Sequence, residues 1–431
     1  MMKWEISTDQ VLEETLYKHV HSSGLEIYFI PKVGYTKKFA YFGTKYGSFD
    51  NCFEHNGQKV CMTKGIAHFL EHKIFEDPDR NIFDKFAALG ASVNAYTSFN
   101  ATVYHFSTVD QFEEGLGELL RFVQRVNLTE ENVEKEKGII VQELKSYEDD
   151  PEYLVFFNLL KAMYKDHPMK DDIGGDEASV NAITKEQLEA CYESFYAPEN
   201  MVLIISGDID SSMLLETVNN ELSENFLARK MAKKETLPTE IKEVYKPYIE
   251  AVFDVPMPLF EIGIKGHNDF ENKSDLMKTA ISMKIILDTH FGKGSDFYKE
   301  LYDEGLINSS FGMDFTFGEG YAYYMFGGES KSPELVLERL KIAVAEMIEK
   351  GIDSNGFERI RKKMIGRLVS SANSVQYLSG TYTSYFMKGL DLFDYIKSVA
   401  ETTSEEGLNY FKDTFIESHI AMSVVKQEDK A

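Results

Sequence analysis

His68, Glu71 and His72 stand close together in "GIAHFLEHKIFEDPDR" (65–80). On an α-helix, positions i and i+4 share a face, so His68 and His72 can aim both imidazoles at one ion. Glu71 sits at the edge of that face, where it can reach a water beside the ion without binding the ion itself. Two neutral nitrogens suit Zn²⁺, and a catalytic zinc usually takes three protein ligands and keeps a further position for water. Such a metal lowers the pKa of water towards neutrality, and the adjacent carboxylate can take the proton as the water attacks a carbonyl. The order H-x-x-E-H reverses the commoner H-E-x-x-H arrangement. The bland alternative is a helix that happens to carry two histidines.

A third ligand has two candidates in "NVEKEKGIIVQELKSYEDDPEY" (132–153). Glu136, Ile140, Glu143 and Tyr147 recur at helical spacing and form one stripe. Carboxylates sharing a stripe with Ile140 and Tyr147, flanked by Ile139 and Leu144, call for a cation, because unpaired buried charge is costly. A solvated face paired with Lys135 and Lys137 is the alternative. Spacing does not choose between Glu136 and Glu143.

The elements that must position these residues follow from pattern. "GLEIYFIPK" (24–32) and "AYFGTKYGSFD" (40–50) alternate like the two strands of a hairpin. The histidine helix follows, then a glycine-bounded strand pair in 90–108 and amphipathic helices over 110–126 and 130–148. "DIGGDEASVNAIT" reads as a loop before a helix cap at Thr184. "ENMVLIISGDID" (199–210) is a buried strand, and the charged, proline-bearing stretch 226–245 reads as a linker. Domains over 1–225 and 246–431 result.

The second half repeats the plan of the first. Residues 183–205 lie on 402–424 at constant offset, matching Thr184 with Thr403, Glu186 with Glu405, Tyr192 with Phe411, Tyr196 with Phe415 and Met201 with Ile420. The expected class is therefore α+β: two homologous domains, each a largely antiparallel sheet with α-helices on one face. Laying 357–369 on 133–145 puts Ile360 and Arg367 where Glu136 and Glu143 stand, and 279–292 offers only His290. The second half is expected to bind no metal.

With 71 acidic against 46 basic residues, the net charge of −25 argues against a nucleic-acid partner, which needs a basic face. No apolar run approaches the roughly 20 residues of a membrane span. The start, "MMKWEISTDQVLEE", lacks the apolar region of a signal peptide. Cys52, Cys61 and Cys191 show no metal-like spacing and are expected unpaired, in a reducing cytoplasm.

Together, "GIAHFLEHKIF", "LGASVNAYTS", "VEKEKGIIVQEL" and "FYAPENMVLIISGDID" resemble the pitrilysin/insulinase family of zinc metallopeptidases, in particular its short bacterial and mitochondrial-processing-type members. The resemblance implies one Zn²⁺ held by His68, His72 and Glu143, with Glu71 as general base and Glu136 as a supporting carboxylate. It implies that a peptide substrate adds as a β-strand along "NAYTS", its backbone held beside Asn94 and Ala95. It also implies that the two domains form half of a clam-shell chamber. The chain departs from the family in one place. Catalytic members carry L-R-E-K-x-G-L-A-Y, whose arginine and tyrosine hold substrate and developing oxyanion. Here "FYKELYDEGLINSSF" (297–311) has Leu301 and Asn308 at those positions, with Tyr302 one place off the arginine. This implies a paralogous subunit that supplies the arginine and tyrosine. The alternatives are a homodimer or monomer using Asn308 or Tyr302, and a non-catalytic scaffold subunit of the same fold.

Overall fold

The computed structural model describes residues 3–77, 81–270 and 272–428. They divide into two units: the described residues within 3–144, 172–236 and 369–393 form the first, and those within 145–171, 237–368 and 394–428 the second. The division at Thr236/Leu237 falls inside the stretch 226–245. Two segments, however, pack with the unit opposite to the one their sequence neighbours occupy.

The first unit holds strands β1 (Glu5–Thr8), β2 (Thr15–Val20), β3 (Glu26–Pro31), β4 (Lys38–Thr44), β5 (Cys52–His55), β6 (Gln58–Cys61), β7 (Ser92–Thr97), β8 (Thr102–Thr108) and β9 (Met201–Gly207). Its main sheet runs β1-β2-β3-β9-β4-β8-β7, antiparallel except for the β3–β9 pair. The hairpin expected from residues 24–50 does not form. Both strands are there, but β9 lies between them, pairing Phe29 with Ile205 and Phe42 with Leu203. Alternation identified the strands and could not exclude a third partner brought in from far downstream, because side-chain period carries no information on pairing.

Phe29, Ala40, Phe42, Phe106, Leu203 and Ile205 fill one core with the helices Ile66–Ile74, Phe112–Val123 and Lys185–Phe195. Each large apolar side chain removed from water there contributes about 1.5–3 kcal/mol. The helix Val375–Met387 also packs on β4 and β9, and the ring of its Tyr382 lies 5.2 Å from that of Tyr28. Helices therefore cover both faces rather than one, and the second face is covered by the returning segment 369–393.

In the second unit, β10 (Tyr248–Val252), β11 (Leu259–Lys265), β12 (Gly312–Gly318), β13 (Tyr321–Glu329) and β14 (Ile420–Lys426) run β10-β14-β11-β13-β12. That order, with its single parallel pair β10–β14, repeats β3-β9-β4-β8-β7 strand for strand. The residues matched in sequence hold equivalent places: Thr184 and Thr403 cap the helices before β9 and β14, which open at Met201 and Ile420. Here the helix Pro151–Met163 lies on β11 and β14, and Lys265 Nζ donates to the Met163 carbonyl at 2.9 Å.

The cysteine expectation is corrected. Cys52 and Cys61 stand directly opposite each other on β5 and β6 and form a disulfide, with Cα atoms 4.1 Å apart. The signal was present: Asn56-Gly57, at φ 51° and 76°, is a two-residue hairpin turn that sets 52 against 61. The bond removes the support that unpaired thiols lent to a reducing compartment; Cys191 is free and buried.

One group in the second unit makes stability depend on pH. Glu261 of β11 tucks its carboxyl over Gly327 of β13, and its Oε2 is sealed from solvent with no hydrogen-bond partner among the described residues. Burial, helped by the charge of Glu152, pushes its pKa from 4.5 up to about 8. A carboxyl whose pKa is higher in the fold than in the unfolded chain favours the fold when protonated, so stability falls as pH rises from about 4.5 towards 8, by a few kcal/mol at most. Thermal unfolding across that range should show the midpoint of wild type dropping by several degrees more than that of Glu261→Gln. Equal drops would mean that the carboxyl is solvated.

Candidate metal centre

The histidine helix Ile66–Ile74 buries Ile66, Ala67, Phe69, Leu70 and Ile74 and thereby turns His68 and His72 to its other face. Gly65 caps it at φ 83°, and a Cβ there would stand 2.2 Å from the Gly174 carbonyl oxygen. Only glycine lets the 174–175 loop approach the start of this helix, where Gly174 also faces His68 Nδ1. Gly65→Ala is expected to cost about 1–3 kcal/mol, from left-handed strain and displacement of the loop. It should lower both the unfolding midpoint and zinc affinity in a competition titration; unchanged affinity would separate the loop from the histidines.

Val133, Ile140, Val141 and Leu144 anchor the helix Glu130–Glu148 in the same core. Its carboxylates then meet the histidines. Glu143 Oε1 lies 3.8 Å from His68 Nε2, and its Oε2 lies 3.4 Å from His72 Nε2. One ligand atom from each of the three residues lies within 4.8 Å of the others, the only such group of His, Cys, Asp or Glu among the described residues. Tetrahedral zinc with bonds of about 2.0–2.1 Å puts neighbouring ligand atoms roughly 3.3–3.5 Å apart. Donor set and spacing therefore fit zinc. Glu136 is placed differently: its Oε1 meets His72 Nδ1, the other ring nitrogen, at 3.0 Å.

The electrostatics agree with a cation site. Burial, aided by His72, pushes the pKa of His68 down to about 4 against the pull of Glu143 and Glu136, so its imidazole is in the neutral, ligating form. Burial also acts to lower His72, but hydrogen bonds to Glu136 and Glu143 outweigh it and hold that residue up at about 9. The surplus of negative charge that does this is what a cation would neutralise. For Glu136, burial acts upward and is outweighed by His72 and Lys73, which hold it below the usual range. Glu71 is buried, and burial raises its pKa, opposed by Thr97 and His72.

Two neighbours escaped the sequence reading. Lys73 is fully buried, with Nζ 2.5 Å from Glu76, 3.0 Å from the Asn132 carbonyl and 3.9 Å from Glu136. Thr97, at the end of β7, donates to Glu71 Oε2 at 2.5 Å. A lysine directly after the H-x-x-E-H run was a readable sign of the first, since it falls on the buried side of the helix. Nothing local marked the second. Asn94 and Ala95 lie on β7, the terminal strand of the sheet, beside the histidine helix; Asn94 is exposed and Ala95 half-buried.

In the second unit, Leu301 is fully buried. Asn308 gives its amide to Glu329 at 2.6 Å and accepts from Ser310 N–H and Oγ–H. Tyr302 is exposed. On the helix Ser354–Ser371, Ile360 is buried, and neither it nor Arg367 can ligate a metal.

Residues 61–177 match the insulinase domain, peptidase family M16, and residues 182–364 match the M16 inactive domain. The chain belongs to the insulinase (M16) family. It is 38% identical to YmfH of Bacillus subtilis, an uncharacterized zinc protease, over 93% of this chain and 94% of that one. An M16-like peptidase from Alicyclobacillus acidocaldarius superposes with a TM-score of 0.89 at 36% identity, covering 99% of both chains. A protease from Helicobacter pylori shares the fold at a TM-score of 0.78 and 18% identity, over 99% of this chain and 100% of that one. No helix among the described residues is long and apolar enough to cross a membrane.

Proposed function

We propose that the chain is a zinc endopeptidase acting on peptides or unfolded protein segments. The observation that carries this reading is the convergence of His68, His72 and Glu143 to within 4.8 Å, with the buried Glu71 beside them. His68, His72 and Glu143 would hold one zinc, which supplies Lewis acidity towards a water and the scissile carbonyl. Glu71 accepts the proton of the attacking water and passes it to the leaving amine. Glu136 accepts the Nδ1 proton of His72, which fixes the tautomer and leaves Nε2 free to ligate. The free edge of β7 at Asn94 and Ala95 takes the substrate backbone as an added strand, which fixes register by main-chain hydrogen bonds.

The oxyanion donors belong to a second chain in this reading. Leu301 carries no donor, and the amide of Asn308 is spent on Glu329. A paralogue that lacks H-x-x-E-H but retains the arginine and tyrosine would complete the site. The purified chain should hold one zinc after dialysis and hydrolyse an unstructured peptide weakly, and co-expression with such a paralogue should raise the rate by about 10²-fold or more. Absence of stoichiometric zinc would instead indicate a scaffold subunit. Full activity of the isolated chain, unchanged by the paralogue, would defeat the two-chain reading.

A further inference from the structure

We infer that Thr97 is a positioning residue that assigns separate tasks to the two oxygens of the Glu71 carboxylate, an inference that rests on Glu71 being the general base. Proton accounting leads to it. An ionised carboxylate only accepts, so the 2.5 Å contact between Thr97 Oγ1 and Glu71 Oε2 takes the single hydroxyl proton of Thr97. The neighbouring Thr102 does not compete for Oε2. Its hydroxyl donates to the Tyr46 carbonyl at 2.9 Å, and its contact with Thr97 Oγ1 is only 3.4 Å. No other hydrogen bond from the described residues reaches the Glu71 carboxylate. Oε2 is thus occupied by the strand and Oε1 is left to receive the proton of the attacking water.

The bond also links substrate binding to chemistry. Thr97 closes β7, three residues after Asn94, and pairs with Thr102 across the ladder. A peptide added to the free edge of β7 would lie along the same strand whose last residue holds the base. Glu71 is buried and its helix is packed on the core, so one hydroxyl on a strand fixes the remaining freedom of the side chain.

The test compares Thr97→Val, which keeps shape and loses the hydroxyl, with Thr97→Ser, which keeps the hydroxyl. On the zinc-loaded full chain, Thr97→Val should lower kcat by about 10-fold or more with KM within about twofold, and Thr97→Ser should stay within about threefold of wild type. Both should keep one zinc. A readout independent of turnover is the carboxyl resonance of Glu71 in carbon-13 glutamate-labelled protein, assigned by its loss in Glu71→Gln. It should move in the valine variant and stay in place in the serine variant. Equal kcat losses in both variants, zinc loss in Thr97→Val, or an unmoved resonance would each overturn the inference. Undiminished activity in Glu71→Gln would instead overturn the role of Glu71 itself.

Discussion

Glu71→Gln is expected to keep one zinc per chain and to lose about 10²-fold or more of its peptide hydrolysis. Glutamine preserves the shape of the side chain and can still accept from Thr97 at the position of Oε2. It cannot accept a proton from water at neutral pH, so the loss should appear in kcat with KM little changed. The metal should remain because Glu71 is not in the converging group; His68, His72 and Glu143 are. Metal analysis of the variant alongside its kinetics decides the point. Zinc loss in Glu71→Gln would make Glu71 a ligand and leave the base unassigned.

Much of this was legible because the signals are local. The i, i+4 spacing of His68 and His72 dictates one face on any helix, and the apolar Ile66, Phe69, Leu70 and Ile74 leave that face turned away from the core. The internal repeat was legible for a similar reason: cap and strand head recur at fixed offset, and Thr184–Met201 and Thr403–Ile420 occupy matching places in the two sheets. What the sequence hid is non-local. Periodicity shows that the helices Pro151–Met163 and Val375–Met387 bury apolar faces, but not which sheet they cover, and each lies on the sheet of the other half. The insertion of β9 between β3 and β4 is hidden in the same way. Thr97 illustrates the limit at the site: its partner Glu71 is 26 positions away, and only the placement of β7 against the histidine helix brings them together. The Cys52–Cys61 bond was a different kind of miss, since the Asn56-Gly57 turn already set the two residues opposite each other.

Glu143→Gln and Glu136→Gln should separate the two carboxylates that spacing alone left equivalent. Glu143 faces Nε2 of both histidines, at 3.8 and 3.4 Å, so its oxygens stand where a third ligand belongs. A neutral amide is a weak zinc ligand, and Glu143→Gln should emerge from dialysis against a mild chelator without stoichiometric zinc and without activity. Glu136 touches His72 only through Nδ1, on the far side of the ring, at 3.0 Å. Removing its charge weakens the hold on the tautomer and the basicity of His72, which should lower zinc affinity by about 10–100-fold while binding remains measurable. Glu136→Gln should also fold, because Lys73 keeps Glu76 at 2.5 Å and the Asn132 carbonyl at 3.0 Å when the Glu136 charge is gone. Zinc retained by Glu143→Gln and lost by Glu136→Gln would exchange the two roles. Zinc retained by both would mean that the two histidines alone suffice, and the carboxylate surplus that holds His72 up at about 9 would then need another explanation.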